Sequence, residues 1–200
     1  MMVNLYRSLD TPLSETDLFE WHKMLMNGRR DLENIGAYRT HTEAMQIVSG
    51  PDYDHKVHYE APPSKLVPRE MKKFLSWFER TAPNGSEPLP VVTRAAVAHA
   101  WFETVHPFED GNGRIGRAIA EKALAQGFAT PVITAIAKIL LKKHKQYYAL
   151  LNQANRNLEI TEWVLWFAAV AIEAQRNTLS YIDFIIQKTK LLDRIRGQLN

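Results

Sequence analysis

The sequence predicts an all-α domain with one β-hairpin. Three observations carry that prediction. Apolar residues recur at three-and-four spacing along most of the chain. Only one short stretch alternates in the manner of paired strands. No repeat, low-complexity run or Gly/Ser-rich linker divides the 200 residues.

Taken in order, Ser14 with Asp17 three residues later reads as a capping box. Leu18, Trp21 and Leu25 then share one helix face, and Gly28 lies just past its end. Met45 to Val48 and Lys56 to Tyr59 read as strands around the loop Ser49 to Asp54, with Pro62-Pro63 closing the segment. A two-stranded hairpin is marginal alone, so this one is expected to lean on the helices. Pro68 suits a first helical turn, and Met71, Phe74, Leu75 and Phe78 face a core until Pro83-Asn84-Gly85. A third helix is expected from an N-cap at Thr93 to Val105, and a fourth from Gly111–Gly113 to Gly127. Residues 138–155 read as helical with a break. Thr161 caps a last helical region carrying Trp163, Phe167, Val170 and later Ile182, Ile185 and Ile186.

Composition excludes several classes of function. There is no cysteine, hence no disulfide framework, thiolate metal site or cysteine nucleophile, which fits a cytoplasmic setting. The N-terminus lacks the apolar core of a signal peptide. The longest apolar run, Trp163 to Ile172, is too short to span a bilayer, so no membrane partner is expected. A net charge of +3 is too small to argue for nucleic acid.

The informative stretch is His106-Pro107-Phe108-Glu109-Asp110-Gly111-Asn112-Gly113-Arg114-Ile115-Gly116-Arg117. An apolar helix delivers His106 at its end, and Pro107 disfavours helix at that residue. Gly111 and Gly113 flank an asparagine, so the backbone can turn tightly and approach a ligand. A helix follows at once, and its unpaired N–H groups and dipole favour an anion. Arg114 and Arg117 share one face of it, and guanidinium forks suit phosphate oxygens. Asp110 stands where it could hold Mg²⁺ bound to phosphates. A base, a metal ligand, an anion cradle and two cations within twelve residues suit a polyphosphate. No Gly-Lys-Ser/Thr makes this a Walker A loop, and no preceding strand makes it a dinucleotide fingerprint.

This stretch resembles the signature of Fic (filamentation induced by cAMP) domain proteins, His-Pro-Phe-x-Asp/Glu-Gly-Asn-Gly-Arg-x-x-Arg, and matches every specified position. Gly36-Ala37-Tyr38-Arg39-Thr40 resembles the element before that family's flap hairpin, and Met45 to Tyr59 stands where the flap would be. Tyr147-Tyr148 followed by Asn155 resembles the family's adenine-pocket residues. The likeness covers roughly residues 13 to 195. It implies a Fic-type helical bundle over 1–200, with a motif core at about 89–160 and a flap at about 45–60. The C-terminal stretch from Leu192 resembles the junction at which longer members continue into a winged helix. Nucleic acid would be a partner only through such a domain.

The function the resemblance implies is protein adenylyltransfer: AMP moves from ATP to a Ser, Thr or Tyr hydroxyl of a target or of the chain itself. His106 would be the general base. Asp110 would hold Mg²⁺ or Mn²⁺, and Gly111, Asn112 and Gly113 would bind phosphate oxygens, partly through backbone N–H groups. Arg114 would meet the β-phosphate and Arg117 the γ-phosphate. Tyr147, Tyr148 and Asn155 would line the adenine site. The flap residues Ile47, Val48, Ser49 and Gly50 would hold the target strand and touch the nucleotide. Chemically, attack on the α-phosphorus needs a base near pKa 6–7, the range of an unperturbed histidine. The alternative is a toxin–antitoxin or regulatory binding module with weak or de-AMPylating activity. The intact His106 and both arginines favour the enzyme.

The remaining candidates read as structure. His99 reads as core or support for the site, the cluster Lys138, Lys142, Lys143 and Lys145 as a solvated face, and Trp163, Trp166 and Phe167 as core. The inhibitory pattern of the family, Ser/Thr-x-x-x-Glu-Gly/Asn, has no intact match, so inhibition is expected from a separate partner or segment, with Arg117 lacking a built-in carboxylate.

Overall fold

The computed structural model describes residues 1–49, 56–129, 136–157 and 159–196. Local rules set most helix ends within it. A short helix α1, Met2–Arg7, precedes the capped helix α2, Glu15–Met26. At the start of α2 the Asp17 N–H donates to Ser14 Oγ (3.2 Å), and the Ser14 N–H donates to Asp17 Oδ2 (2.8 Å). The hairpin follows as β1, Gln46–Ser49, and β2, Lys56–Glu60, antiparallel with a register shift between Ile47 and Val48. Gly50 and residues 51–55 lie outside the described residues. After a 3₁₀ turn at Ser64–Leu66 comes α3, Val67–Arg80, with Pro68 in its first turn as expected.

Helix α4, Val91–Val105, begins two residues before the expected cap at Thr93. Pro90, extended at φ −52° and ψ 134°, is the N-cap, so Thr93 lies inside the first turn. Helix α5, Asn112–Phe128, runs through Gly127 rather than stopping there. A Cβ at Gly127 would collide with the Val91 side chain, so this glycine permits helix contact instead of ending a helix. The expected break separates α6, Ile136–Lys142, from α7, His144–Asn157, and α8 spans Thr161–Arg196.

Helix α4 is the centre of the packing and touches α3, α5 and α8. Alanines at 95, 96 and 98 are fully buried and let these neighbours approach. On one side Phe74 meets Trp101 and Phe102. On the other, the Trp163 indole N–H donates to the Ala96 carbonyl (2.8 Å), tying α8 to α4. Helix α1 ties to α5 through Tyr6 with Glu121 and through the Lys122 ammonium on the Ser8 carbonyl. Trp163, Trp166 and Phe167 are core, as expected. Beyond Ala174 the residues of α8 are exposed or nearly so, with Leu179, Ile182, Phe184 and Ile186 among them. No helix among the described residues is long and apolar enough to cross a membrane.

The crossing from α4 to α5 is held from three directions. Phe108 is fully buried, stacked on His22 (centroids 4.2 Å apart) and tilted against Tyr38 and Phe102. Asn112 bonds both groups of one residue: its Oδ1 accepts from the Phe108 N–H (2.9 Å) and its Nδ2 donates to the Phe108 carbonyl (2.8 Å). Arg39, 1% exposed, donates to the His106 carbonyl (2.8 Å), the Pro62 carbonyl (2.5 Å) and Ser64 Oγ (2.9 Å). Its own N–H reaches the Pro107 carbonyl (2.9 Å). Buried carbonyls at a helix end need such donors. Arg39→Met keeps much of the packing and removes the donors, so it should lower stability by about 2–4 kcal/mol. Urea unfolding measures this. A loss below about 0.5 kcal/mol, typical of a surface substitution, would show that the clamp contributes nothing.

Candidate active site

The residues of the long motif come together around one turn. His106 ends α4 in the left-handed region (φ 48°, ψ 60°), a conformation that costs an L-residue roughly 1–2 kcal/mol. The Arg39 bond to its carbonyl and the proline after it hold it there. Gly111, at φ 84°, makes the second left-handed turn and is the N-cap of α5. The chain thus leaves one helix and enters the next within six residues.

His106 presents one ring nitrogen. Its Nδ1 lies 3.3 Å from the Glu103 carbonyl oxygen, so the neutral ring carries its hydrogen there and leaves Nε2 as the acceptor. Among the described residues nothing hydrogen-bonds Nε2. The side chain is 14% exposed, and burial pushes its pKa down to about 4. The ring is therefore a neutral base at neutral pH, but a weaker one than the unperturbed histidine the sequence suggests.

The start of α5 presents unpaired N–H groups and two arginines, a combination that favours an anion. Arg114 and Ile115 return their N–H groups to the Gly111 carbonyl, while those of Asn112 and Gly113 have no partner among the described residues. Arg114 is exposed and Arg117 half-buried. Arg117 makes no ion pair among the described residues, although the Glu103 carboxyl is near enough to feel its charge. The Asn112 side chain is spent on Phe108, so only its backbone N–H faces the site.

Asp110 is a half-exposed carboxylate with a full set of partners. Its Oδ2 is 2.7 Å from Arg29 and 3.4 Å from Arg114, and its Oδ1 accepts the Gly111 N–H at 2.5 Å. Burial works to raise its pKa, but Arg29, the Gly111 N–H and Arg114 outweigh it and hold the group below the usual carboxylate range. Arg29 also grips Asp31 through Nε and Nη2. The Glu109 carboxylate accepts from the backbone of Glu33 and Asn34, so the segment after α2 is laid against the motif loop. His22 completes this wall: Nδ1 accepts from the Gly36 N–H (2.9 Å), and Nε2 faces the Asp110 carbonyl (3.2 Å).

The more distant candidates divide. Tyr147 is buried beside Trp163 and Trp166, with its hydroxyl 3.1 Å from His99 Nε2. Tyr148 and Asn155 are half-buried, and Asn155 Oδ1 accepts from Thr104 of α4 (2.7 Å). Helix α7, which carries these residues, also packs against β2. Ile47, Val48 and Ser49 lie in β1, and Gly50 lies outside the described residues. Four residues escaped the sequence reading of the site: Arg29, His22, Glu103 and the clamping role of Arg39. Only Arg39 carried a signal, its place before the flap. The lysines at 138, 142 and 145 are exposed, as a solvated face requires, whereas Lys143 is half-buried and pairs with Glu173 (2.5 Å).

Known proteins resemble this chain in sequence and in fold. The family model "Fic/DOC family" matches residues 12–124. A protein of Nematostella vectensis named protein adenylyltransferase Fic is 31% identical over 140 residues, covering 70% of this chain and 28% of that protein. A probable protein adenylyltransferase of Aquifex aeolicus is 25% identical over 96 residues, 48% of this chain and 26% of that protein. The chain thus spans about a quarter of the length of these curated relatives. Among solved structures, a Fic family protein from Desulfovibrio desulfuricans G20 superposes with a TM-score of 0.71 at 26% identity, over 90% of this chain and 51% of that one. A Fic domain containing signaling protein from Bacteroides thetaiotaomicron gives a TM-score of 0.68 at 20% identity, covering 88% and 65%, a likeness of fold. With the family model spanning more than half of its residues and the helical architecture shared, this chain belongs to the Fic/DOC family.

Proposed function

We propose that this chain transfers AMP from ATP to a protein hydroxyl and releases pyrophosphate. One observation carries the reading: a neutral histidine with a free Nε2 stands at the same turn as an unpaired helix N-terminus bearing two arginines. His106 Nε2 takes the proton of the acceptor hydroxyl as its oxygen attacks the α-phosphorus. The bond from the α-phosphorus to the bridging oxygen breaks, and pyrophosphate leaves. The N–H groups of Asn112 and Gly113, with Arg114 and Arg117, hold the phosphates and offset the charge on the departing group. The adenylyltransferase names of the relatives support the same chemistry.

Asp110 suits a magnesium site, because it is ionised, half-exposed and beside the phosphate cradle. Magnesium is commonly held by one or two carboxylates plus substrate phosphates, and no cluster of three or more ligating side chains is needed. Among the described residues there is no such cluster. Bound Mg²⁺ would neutralise phosphate charge. Arg29 would then give up its contact with Asp110 and keep Asp31. For the base, Tyr148 and Asn155 are better exposed than Tyr147. The acceptor segment would add to the outer edge of β1 along Ile47 to Ser49, since β1 pairs only with β2 among the described residues.

Three outcomes test the proposal. Protein incubated with ATP and Mg²⁺ should acquire label from the α-phosphate and none from the γ-phosphate. Transfer of the γ-label would mark a kinase. His106→Ala should lower that transfer about 10²–10⁴-fold, the usual contribution of a general base, with ATP binding retained. Wild-type rates would place the base elsewhere. Arg117→Ala should weaken ATP more than ADP, whereas Arg114→Ala should weaken both, each by roughly 10- to 150-fold. Calorimetric titration separates the two, and equal ATP-to-ADP ratios would contradict the order of contacts.

A further inference from the structure

Glu103 lies on α4 one turn before His106, and its side chain is 6% exposed. Its Oε2 is 3.9 Å from His106 Nδ1. From α5, Arg117 is the cation that acts on it, and from α7 its charge reaches Tyr147 and Tyr148. Its seat is cut from two glycines. A Cβ on Gly116 would stand 2.9 Å from Oε1, and one on Gly113 would stand 3.7 Å away. The buried Oε1 has no hydrogen-bond partner among the described residues. An unpaired buried carboxyl costs stability that an apolar side chain in the same place would not. This one faces the Nδ1 side of the His106 ring, the ring proposed as base.

We propose that Glu103 is the positioning residue for His106: its carboxylate faces Nδ1 and stabilises the imidazolium formed when Nε2 takes the acceptor proton. The proton goes from the hydroxyl oxygen to Nε2, and the hydrogen on Nδ1 stays on the ring, as in other pairs of a carboxylate and a catalytic histidine. The inference rests on the function proposed above. It also explains how a ring that burial makes a poor base can work. Without the Glu103 carboxylate, the charge formed on His106 would sit beside Arg39, with only the Glu103 carbonyl and Asp110 opposing it.

The titrating groups are few. Glu103 is faced by His99 and His106 on its own helix, Arg117 on α5 and the two tyrosines on α7. Burial pushes its pKa up to about 7, against the pull of Arg117. Above that pH the carboxylate is charged and supports the imidazolium; below it the neutral acid does not. The rate should therefore fall as the pH drops through about 7.

Glu103→Gln keeps the shape and removes the titration. The acid limb should then leave the region of pH 7, and kcat at pH 8 should fall about 10–100-fold with the KM for ATP within about twofold. Glu103→Asp, which keeps a carboxylate, should retain the limb. A second readout needs neither nucleotide nor acceptor: the proton resonance of the His106 ring followed by NMR from about pH 5 to 9. In the wild type it should show an inflection near 7 from its neighbour, absent in Glu103→Gln. Because this titration is independent of group transfer, a wild type that moves no AMP strikes the proposed function and is read separately. The inference is overturned if the wild-type ring shows no inflection near pH 7, or if Glu103→Gln leaves that inflection or the acid limb in place.

Discussion

The exchange of hydrogen bonds between the Asn112 side chain and the Phe108 peptide is the contact on which the site depends. A turn of six residues between two long helices exposes backbone groups that neither helix satisfies. Asn112 satisfies both groups of the residue at the turn's centre, and Phe108 then drops into a pocket of His22, Tyr38 and Phe102. On either side of that residue, His106 and Gly111 adopt left-handed conformations that bound the turn. His106 and the open end of α5 are thus held at the two ends of one braced turn. Arg39 adds the same restraint from outside, closing the carbonyl end of α4.

The charges follow from this geometry. The cationic end of α5 and its arginines gather where a polyphosphate would lie, and the two carboxyls nearby are treated differently. Asp110 stays ionised because guanidinium and N–H groups surround it. Glu103, a few residues earlier, is buried without such donors and is pushed toward neutrality. Two acids in unlike surroundings beside one histidine suit a division of labour, with one turned to the phosphates and the other to the ring.

Much of this was legible in the chain because it depends on neighbours in sequence. The capping box at Ser14, the helix end at His106 and the anion-binding start of α5 are local rules written within a few residues. The hairpin pattern was equally local. What escaped depends on contacts between distant segments. Thr93 looks like a cap until Pro90 takes the place, and Gly127 looks like a stop until Val91 packs on it. Asn112 reads as a phosphate ligand from its place in the motif, whereas its side chain is a structural brace. Arg29, 81 residues from Asp110, and Glu103, hidden in an apolar helix, had no pattern that marked them.

The proposed reaction needs one rigid turn to set the base against the phosphates. It is tested most directly by a crystal structure of the protein with Mg²⁺ and a non-hydrolysable ATP analogue. The polyphosphate should lie on the N-terminal end of α5, with the α-phosphorus facing His106 Nε2 across room for one hydroxyl and the Asn112–Phe108 bonds unchanged. A nucleotide seated elsewhere, such as the cavity between α1 and the end of α3 lined by Leu9, Arg80 and Arg94, would contradict it. So would a turn that rebuilds itself around the phosphates.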